Sequence, residues 1–245
     1  MNQQRSATMS YRFASCIVTT FIVLPALMLG LLLSPRSLNA AENASVVRII
    51  QQDGGWRLLR NGEPYFIRGA VTGPGGSLDV LQQAGGNSIR THAGALDDAQ
   101  RRGFTALVSL PLGNPRKGFD YADTNKVEQQ FLKAREIVRK HRDHPALLMW
   151  NLGNEPEIHT TPARRVPLWR EANRLAEMVK REDPNHPVMV VIGGQYADML
   201  HELDEHCPAL DLVGLNSYAQ MLKLPEEITT SSCAATWSSF ASTTW

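Results

Sequence analysis

His144-Pro145-Ala146-Leu147-Leu148-Met149-Trp150-Asn151-Leu152-Gly153-Asn154-Glu155-Pro156-Glu157 is the stretch on which the fold turns. Residues 146–152 are apolar apart from Asn151, a run short enough for a strand and apolar enough to be buried on both faces. Asn154 and Glu155 stand at its C-terminal end, and Pro156 has no N–H with which to continue a ladder. A strand buried on both faces belongs to a parallel sheet under helices. The flanks agree. Downstream, 166–182 reads as a helix, 188–192 as a strand, 197–206 as a helix and 211–215 as a strand. Upstream, 125–141 is an amphipathic helix with Val127, Phe131, Ala134, Ile137 and Val138 on one face. Before it come a strand at 105–110, a helix at 95–102 stopped by Gly103 and a strand at 88–91. A helix at 77–84, ended by Gly85-Gly86, follows a first strand at 65–69.

Six strand-then-helix units, the last helix weak, mean a parallel sheet with helical cover. Ahead of them, Val46–Ile50 and Trp56–Leu59 flank Asp53-Gly54-Gly55, a hairpin signal, and Asn61-Gly62 makes a second turn. An open doubly wound sheet and a (β/α)8 barrel both fit this order. A doubly wound nucleotide binder carries a phosphate loop after its first strand, but Gly73-Pro74-Gly75-Gly76 matches neither glycine fingerprint. Polar residues instead close several strands: Arg90 and His92, Asn154 and Glu155, Asn216 and Tyr218. Function spread over many strand ends is the habit of the barrel. The expected fold is therefore α/β: an incomplete (β/α)8 TIM barrel of about six units, spanning 65–228, behind a short hairpin at 42–64.

Composition narrows the partners. The chain has 245 residues, 43% of them hydrophobic, and 25 basic residues against 24 acidic. That balance excludes disorder and leaves no excess positive charge for nucleic acid. Cys16, Cys207 and Cys233 are too few and scattered for a disulfide framework. Neither His141-x-x-His144 nor His201-x4-His206 has a matching Cys or carboxylate set, so no metal and no cofactor are expected. Residues 1–41 open with Arg5 and Arg12, run apolar from 13 to 33 and end in small residues, the pattern of an export signal. The apolar run is long enough for an uncleaved anchor to compete with cleavage. The expected location is periplasmic or secreted, or anchored in the membrane by residues 13–33.

Glu155 carries the chemistry. A carboxyl at a strand end beside an aromatic, here Trp150, can be held protonated by partial desolvation, as a general acid for a glycosidic oxygen must be. Asn154 could donate to a sugar hydroxyl next to the reacting carbon. Read alone, the strand-Asn-Glu-Pro pattern fits equally a capped loop whose Glu155 pairs an arginine. His92 follows Arg90 by two, so both side chains leave their strand on one face. His92 is either a substrate contact or a hydrogen-bonded structural residue. Glu157 reads as a solvated or arginine-paired side chain.

Residues from about Pro64 to Tyr218 resemble the catalytic barrel of retaining glycoside hydrolases of the Asn-Glu clan, above all the family 2 catalytic domain. Four pieces match in order: Phe66-Ile67-Arg68-Gly69, Gly86-Asn87-Ser88-Ile89-Arg90-Thr91, Trp150-Asn151-Leu152-Gly153-Asn154-Glu155, and Asp211-Leu212-Val213-Gly214-Leu215-Asn216-Ser217-Tyr218. The third is the specific one. The resemblance implies that Glu155 is the acid/base, that Asn154 binds the 2-hydroxyl, that Arg90 orients a nucleophile and that Tyr218 lies near it. Trp150, His92 and Asn216 join them as candidate substrate contacts, and the implied partner is an oligo- or polysaccharide.

Two features depart from the family pattern. The clan's nucleophile is a second Glu at the end of strand 7, and after Tyr218 the last acidic residues are Glu226 and Glu227, which read as the start of a sixth helix. Residues 229–245 hold ten Ser or Thr and no charge, the composition of a truncated or frame-shifted ending. A barrel without its last two strands is expected to expose two sheet edges and part of its core. Nor do residues 41–60 leave room for the sandwich domains that usually precede the barrel. The expectation is a retaining glycosidase impaired by lack of its nucleophile. The competing readings are a carbohydrate-binding pseudoenzyme and a membrane-anchored interaction domain.

Overall fold

A computed structural model describes residues 44–72, 77–193, 196–216 and 242–244; the export segment, residues 73–76, Tyr218, Glu226 and Glu227 lie outside these. Two sheets form. The first is an antiparallel meander of β1 (Val47–Gln52), β2 (Gly55–Arg60) and β3 (Glu63–Pro64). Asp53 and Gly54 both take positive φ in the β1–β2 turn, as the Asp-Gly signal requires.

The second sheet holds β4 (Gly69–Val71), β5 (Ser88–Thr91), β6 (Thr105–Ser109), β7 (Leu147–Asn154), β8 (Val188–Gly193), β9 (Leu212–Asn216) and β10 (Ser242–Thr244), paired in that order and parallel throughout. Between them run α1 (Leu78–Gln83), α2 (Leu96–Arg101), α3 (Thr124–His141), α4 (Pro162–Glu182) and α5 (Tyr196–His206). The six expected strand positions, each neighbouring the next along the sheet, give the half-barrel of an incomplete TIM barrel. The short β10 takes the seventh place beside β9, where the sequence predicted no strand.

β4 begins at Gly69, not at Tyr65. The side chain of Asn87 explains the shift: its Oδ1 accepts from Arg68 N at 2.8 Å and its Nδ2 donates to Phe66 O at 2.8 Å. The Asn87 side chain thus takes up Phe66 O and Arg68 N, and only Arg68 O, which accepts from Asn87 N and Ser88 N, reaches the backbone at the start of β5. Gly69 then passes so close to β5 that a Cβ would lie 2.4 Å from Ser88 O. α4 starts at Pro162 and carries Pro167 inside its first turns, four residues before the expected start.

The sheet alternates as a two-sided strand set should. Ala106, Val108, Val188, Val190 and Ile192 face the helices in one core, while Leu107, Met189, Val191 and Leu212 join a second core on the other face. The hairpin covers that second core with Val47, Ile49 and Leu58, and the segment after it adds Tyr65 and Ile67, so the strand residues there are almost fully buried. The expected exposure of the core does not occur on this face. The edge beyond β4 does stay open, with Phe66 80%, Val71 56% and Val80 63% exposed.

A buried polar network fixes the hairpin to the N-terminal end of the strands. Ser45 Oγ donates to Leu147 O at 2.5 Å and hydrogen-bonds His186 Nε2 at 2.9 Å. His186 Nδ1 lies 2.8 Å from Asp183 Oδ2, which also accepts from Trp150 Nε1 at 2.8 Å, and Asp183 Oδ1 accepts from Asn185 N at 3.0 Å. Although the order Ser, His, Asp has the connectivity of a nucleophilic triad, Ser45 is fully buried and its proton is committed to a carbonyl. The network holds elements together at the end of the barrel where stability is built.

Candidate active site

The opposite end of the same strands gathers polar side chains from three of them. β7 reaches it through a bulge: Asn151 pairs Met189 and Asn154 pairs Val191, one residue more on β7 than on β8. Gly153 supports the bulge at φ +140. Glu155 follows at φ +49, a left-handed backbone that an L side chain adopts at a cost of order 1 kcal/mol, while its N–H still bonds Val191 O at 2.7 Å. The strain is local to the residue that the sequence singles out.

The side chains interlock. Arg90 Nη1, from β5, donates to Asn154 Oδ1 at 2.8 Å. Asn216 Nδ2, from the end of β9, donates to Asn154 Oδ1 at 3.1 Å and to Glu155 Oε1 at 2.8 Å. Because guanidinium can only donate, the Asn154 amide is oriented with its oxygen inward and its Nδ2 left as a donor. Gly193, the last residue of β8, makes room for the carboxyl: a Cβ there would lie 2.4 Å from Glu155 Oε1 and 2.7 Å from its Cδ. The three strand ends thus bring together four predicted residues: Arg90, Asn154, Glu155 and Asn216.

The remaining candidates are distributed differently. His92 is exposed just beyond β5, two residues from Arg90. Tyr218 lies outside the described residues. Trp150 requires a correction. It is fully buried in the core under the helices, with its indole N–H on Asp183, so it neither contacts a ligand nor desolvates Glu155. Its five-residue separation from Glu155 along the strand puts it near the other end of the sheet.

Glu157 also departs from expectation. It is 4% exposed and pairs with no arginine among the described residues; Arg165 is held instead by Glu202 of α5 at 2.6 Å. Glu157 Oε1 accepts from Gly193 N at 2.7 Å, and its buried Oε2 has no hydrogen-bond partner among the described residues. Burial pushes this carboxyl up to about 7 against the lowering effect of the Gly193 N–H, and the charge of Glu155 raises it further. The one sequence signal for this arrangement is the glycine at the end of β8. Thr160 bonds Glu157 O through both its N–H and its hydroxyl, and Arg165 Nη1 donates to Thr160 O at 2.8 Å, tying the loop to α4.

Among the described residues no group of three His, Cys, Asp or Glu is placed to hold a metal ion. His144 Nε2 instead bonds Asp97 Oδ1 at 3.1 Å. No helix of the described residues is long and apolar enough to cross a membrane; residues 13–33 lie outside them.

Comparison with known proteins agrees with this fold. The family described as "Glycosyl hydrolases family 2, TIM barrel domain" matches residues 97–238. A beta-glucuronidase from Chlorocebus aethiops is 25% identical over 184 residues, 66% of this chain and 26% of that protein. A probable mannan endo-1,4-beta-mannosidase F from Aspergillus oryzae is 29% identical over 124 residues, 51% of this chain and 25% of its own. The crystal structure of a Bacteroides uniformis beta-glucuronidase superimposes with a TM-score of 0.54 at 20% identity, over 81% of this chain and 26% of that one. The chain spans about a quarter of the length of these relatives.

Proposed function

The chain belongs to glycosyl hydrolases family 2 through its TIM barrel domain, and from that membership we propose that it acts on O-glycosyl bonds by a retaining mechanism, with Glu155 as general acid. The observation that carries the reading is Asn216 Nδ2, which bridges Asn154 Oδ1 and Glu155 Oε1 across two strand ends. With Oε1 accepting that bond, a proton on Glu155 belongs on Oε2, where it can pass to a leaving glycosidic oxygen. With its own oxygen occupied by Arg90 and Asn216, Asn154 presents Nδ2 to a sugar hydroxyl. His92 and Tyr218 are further substrate contacts in this reading.

Retaining hydrolysis needs a second carboxyl about 5–5.5 Å from the first, acting as nucleophile. Among the described residues Glu157 is no such group, being buried on the same loop as Glu155, and Glu226 and Glu227 lie outside the described residues. General acid catalysis alone contributes about 10²–10⁴-fold, so the chain as it stands turns over slowly or not at all. A sugar-binding protein without turnover is the second reading, favoured by the burial of Glu157, which keeps that carboxyl from a bound sugar. Residues 1–41 would export the protein to the periplasm or beyond, cleaved or as an anchor.

The test is calorimetric titration of the full chain with a panel of glyconolactams, flattened mimics of the sugar transition state. One sugar configuration is expected to bind, and Asn154→Ala to weaken it about tenfold or more through loss of the amide donor. Absence of binding across the panel, or binding indifferent to Asn154→Ala, would remove the site.

A further inference from the structure

Two carboxyls share Gly193. Glu155 lies across its bare Cα, and Glu157 takes its N–H at 2.7 Å, which puts the carboxyls within about 8 Å of each other. They differ in surroundings. Glu155 has Asn216 on one oxygen, whereas Glu157 is more than nine-tenths buried with one oxygen lacking any partner among the described residues. A buried carboxylate oxygen without a donor is costly, and a neutral carboxyl there is cheaper.

We propose that Glu157 is a positioning residue of this site: it seats the Glu155 loop on Gly193 and keeps its own proton so long as a charged Glu155 stands beside it. This deepens the glycosidase reading and rests on it for the ligand. A ligand that brings positive charge, as a sugar ring does while its leaving group departs, relieves the repulsion and lets Glu157 ionise. The bound state then draws on Glu157 without touching it. The charged groups acting on Glu157 are Glu155 on its own loop and Arg165 on α4, the latter already paired with Glu202 of α5. The raised protonation of Glu157 described above, with Glu155 among its causes, supports the coupling.

The sign follows from the charges. Below the Glu157 midpoint the pair holds fewer negative charges and binds a cation weakly; above it, affinity rises. The experiment is carbon-13 NMR titration of the glutamate carboxyls in the full chain, with calorimetric binding of quaternary N,N-dimethyl iminosugars, whose charge does not change with pH. The Glu157 carboxyl is expected to titrate near 7 and to move down in Glu155→Gln, where the neighbouring charge is gone. Iminosugar affinity should rise about tenfold per pH unit at most through that range in the wild type and stay flat in Glu157→Gln. That variant keeps the shape and the Gly193 bond, so a merely structural Glu157 would leave the pH profile unchanged. A Glu157 titrating in the ordinary carboxylate range, or indifferent to Glu155→Gln, overturns the proposal even should Glu157→Gln fail to fold. A coupled titration with no iminosugar bound at any pH upholds the pair and overturns the glycosidase reading instead.

Discussion

β7 ends in two polar networks that differ in every respect that matters for function. At its N-terminal end Trp150, Asp183, His186, Ser45 and Leu147 O form a closed set: buried groups, short bonds, no donor left over. At its C-terminal end Arg90, Asn154, Glu155 and Asn216 form a more exposed one, with a left-handed Glu155, a bulge, an Asn154 amide that can still donate and a buried Glu157 oxygen with no hydrogen-bond partner among the described residues. A satisfied network holds a chain together. A strained and exposed one is where a ligand can add something, and the proposed chemistry is put at that end.

The largest expected effect is at the closed end. Asp183→Ala would strand His186 Nδ1, Trp150 Nε1 and Asn185 N in the interior, and should cost about 3–5 kcal/mol in urea denaturation of the full chain. Trp150→Phe removes one of those bonds and should cost about 1–2 kcal/mol, with lactam binding unchanged. A Trp150→Phe chain that keeps its stability and loses the sugar would reverse the assignment of the two ends.

A smaller effect, of opposite character, is expected at the open end. Glu157 is held up to about 7 when folded, above its ordinary 4.5. The folded state therefore binds this proton more tightly than the unfolded one, and the stabilisation is complete below the unfolded value. It is lost as pH rises from about 4.5 to about 7, by on the order of 3 kcal/mol, and is constant above that. Glu157→Gln should remove that slope and be the more stable protein at neutral pH. A wild-type stability that stays flat over this window, with any rise confined below about 4.5, would show Glu157 ionised in the fold.

The contrast also explains what could be read from the sequence. The strands at 88–91, 105–109 and 188–193 and the helix at 124–141 were legible because their side chains repeat with the period of a strand or a helix over enough residues. The four polar residues at the open end were legible because they sit at strand ends. What was not legible depends on partners far away in sequence. β4 shifts because Asn87 reaches back to Phe66 and Arg68, and the bulge in β7 exists only in its register with β8. Ser45 finds His186 across 141 positions. Nearness along the chain puts Trp150 at the site, and residue type makes Glu157 a solvated or arginine-paired side chain. In both, burial decided otherwise.

The most direct test of the claim that Glu155 is a general acid at a glycoside site is azide-dependent cleavage. Azide can stand in for a missing nucleophile on the face of the sugar opposite the leaving group, and a methoxyphenyl β-glycoside has a leaving group poor enough to need a proton. Release of methoxyphenol should be followed with and without azide in the full chain and in Glu155→Gln. The account predicts background release without azide, cleavage with azide that yields the inverted α-glycosyl azide, and loss of that cleavage in Glu155→Gln. Release that is the same in the two proteins under both conditions would contradict it.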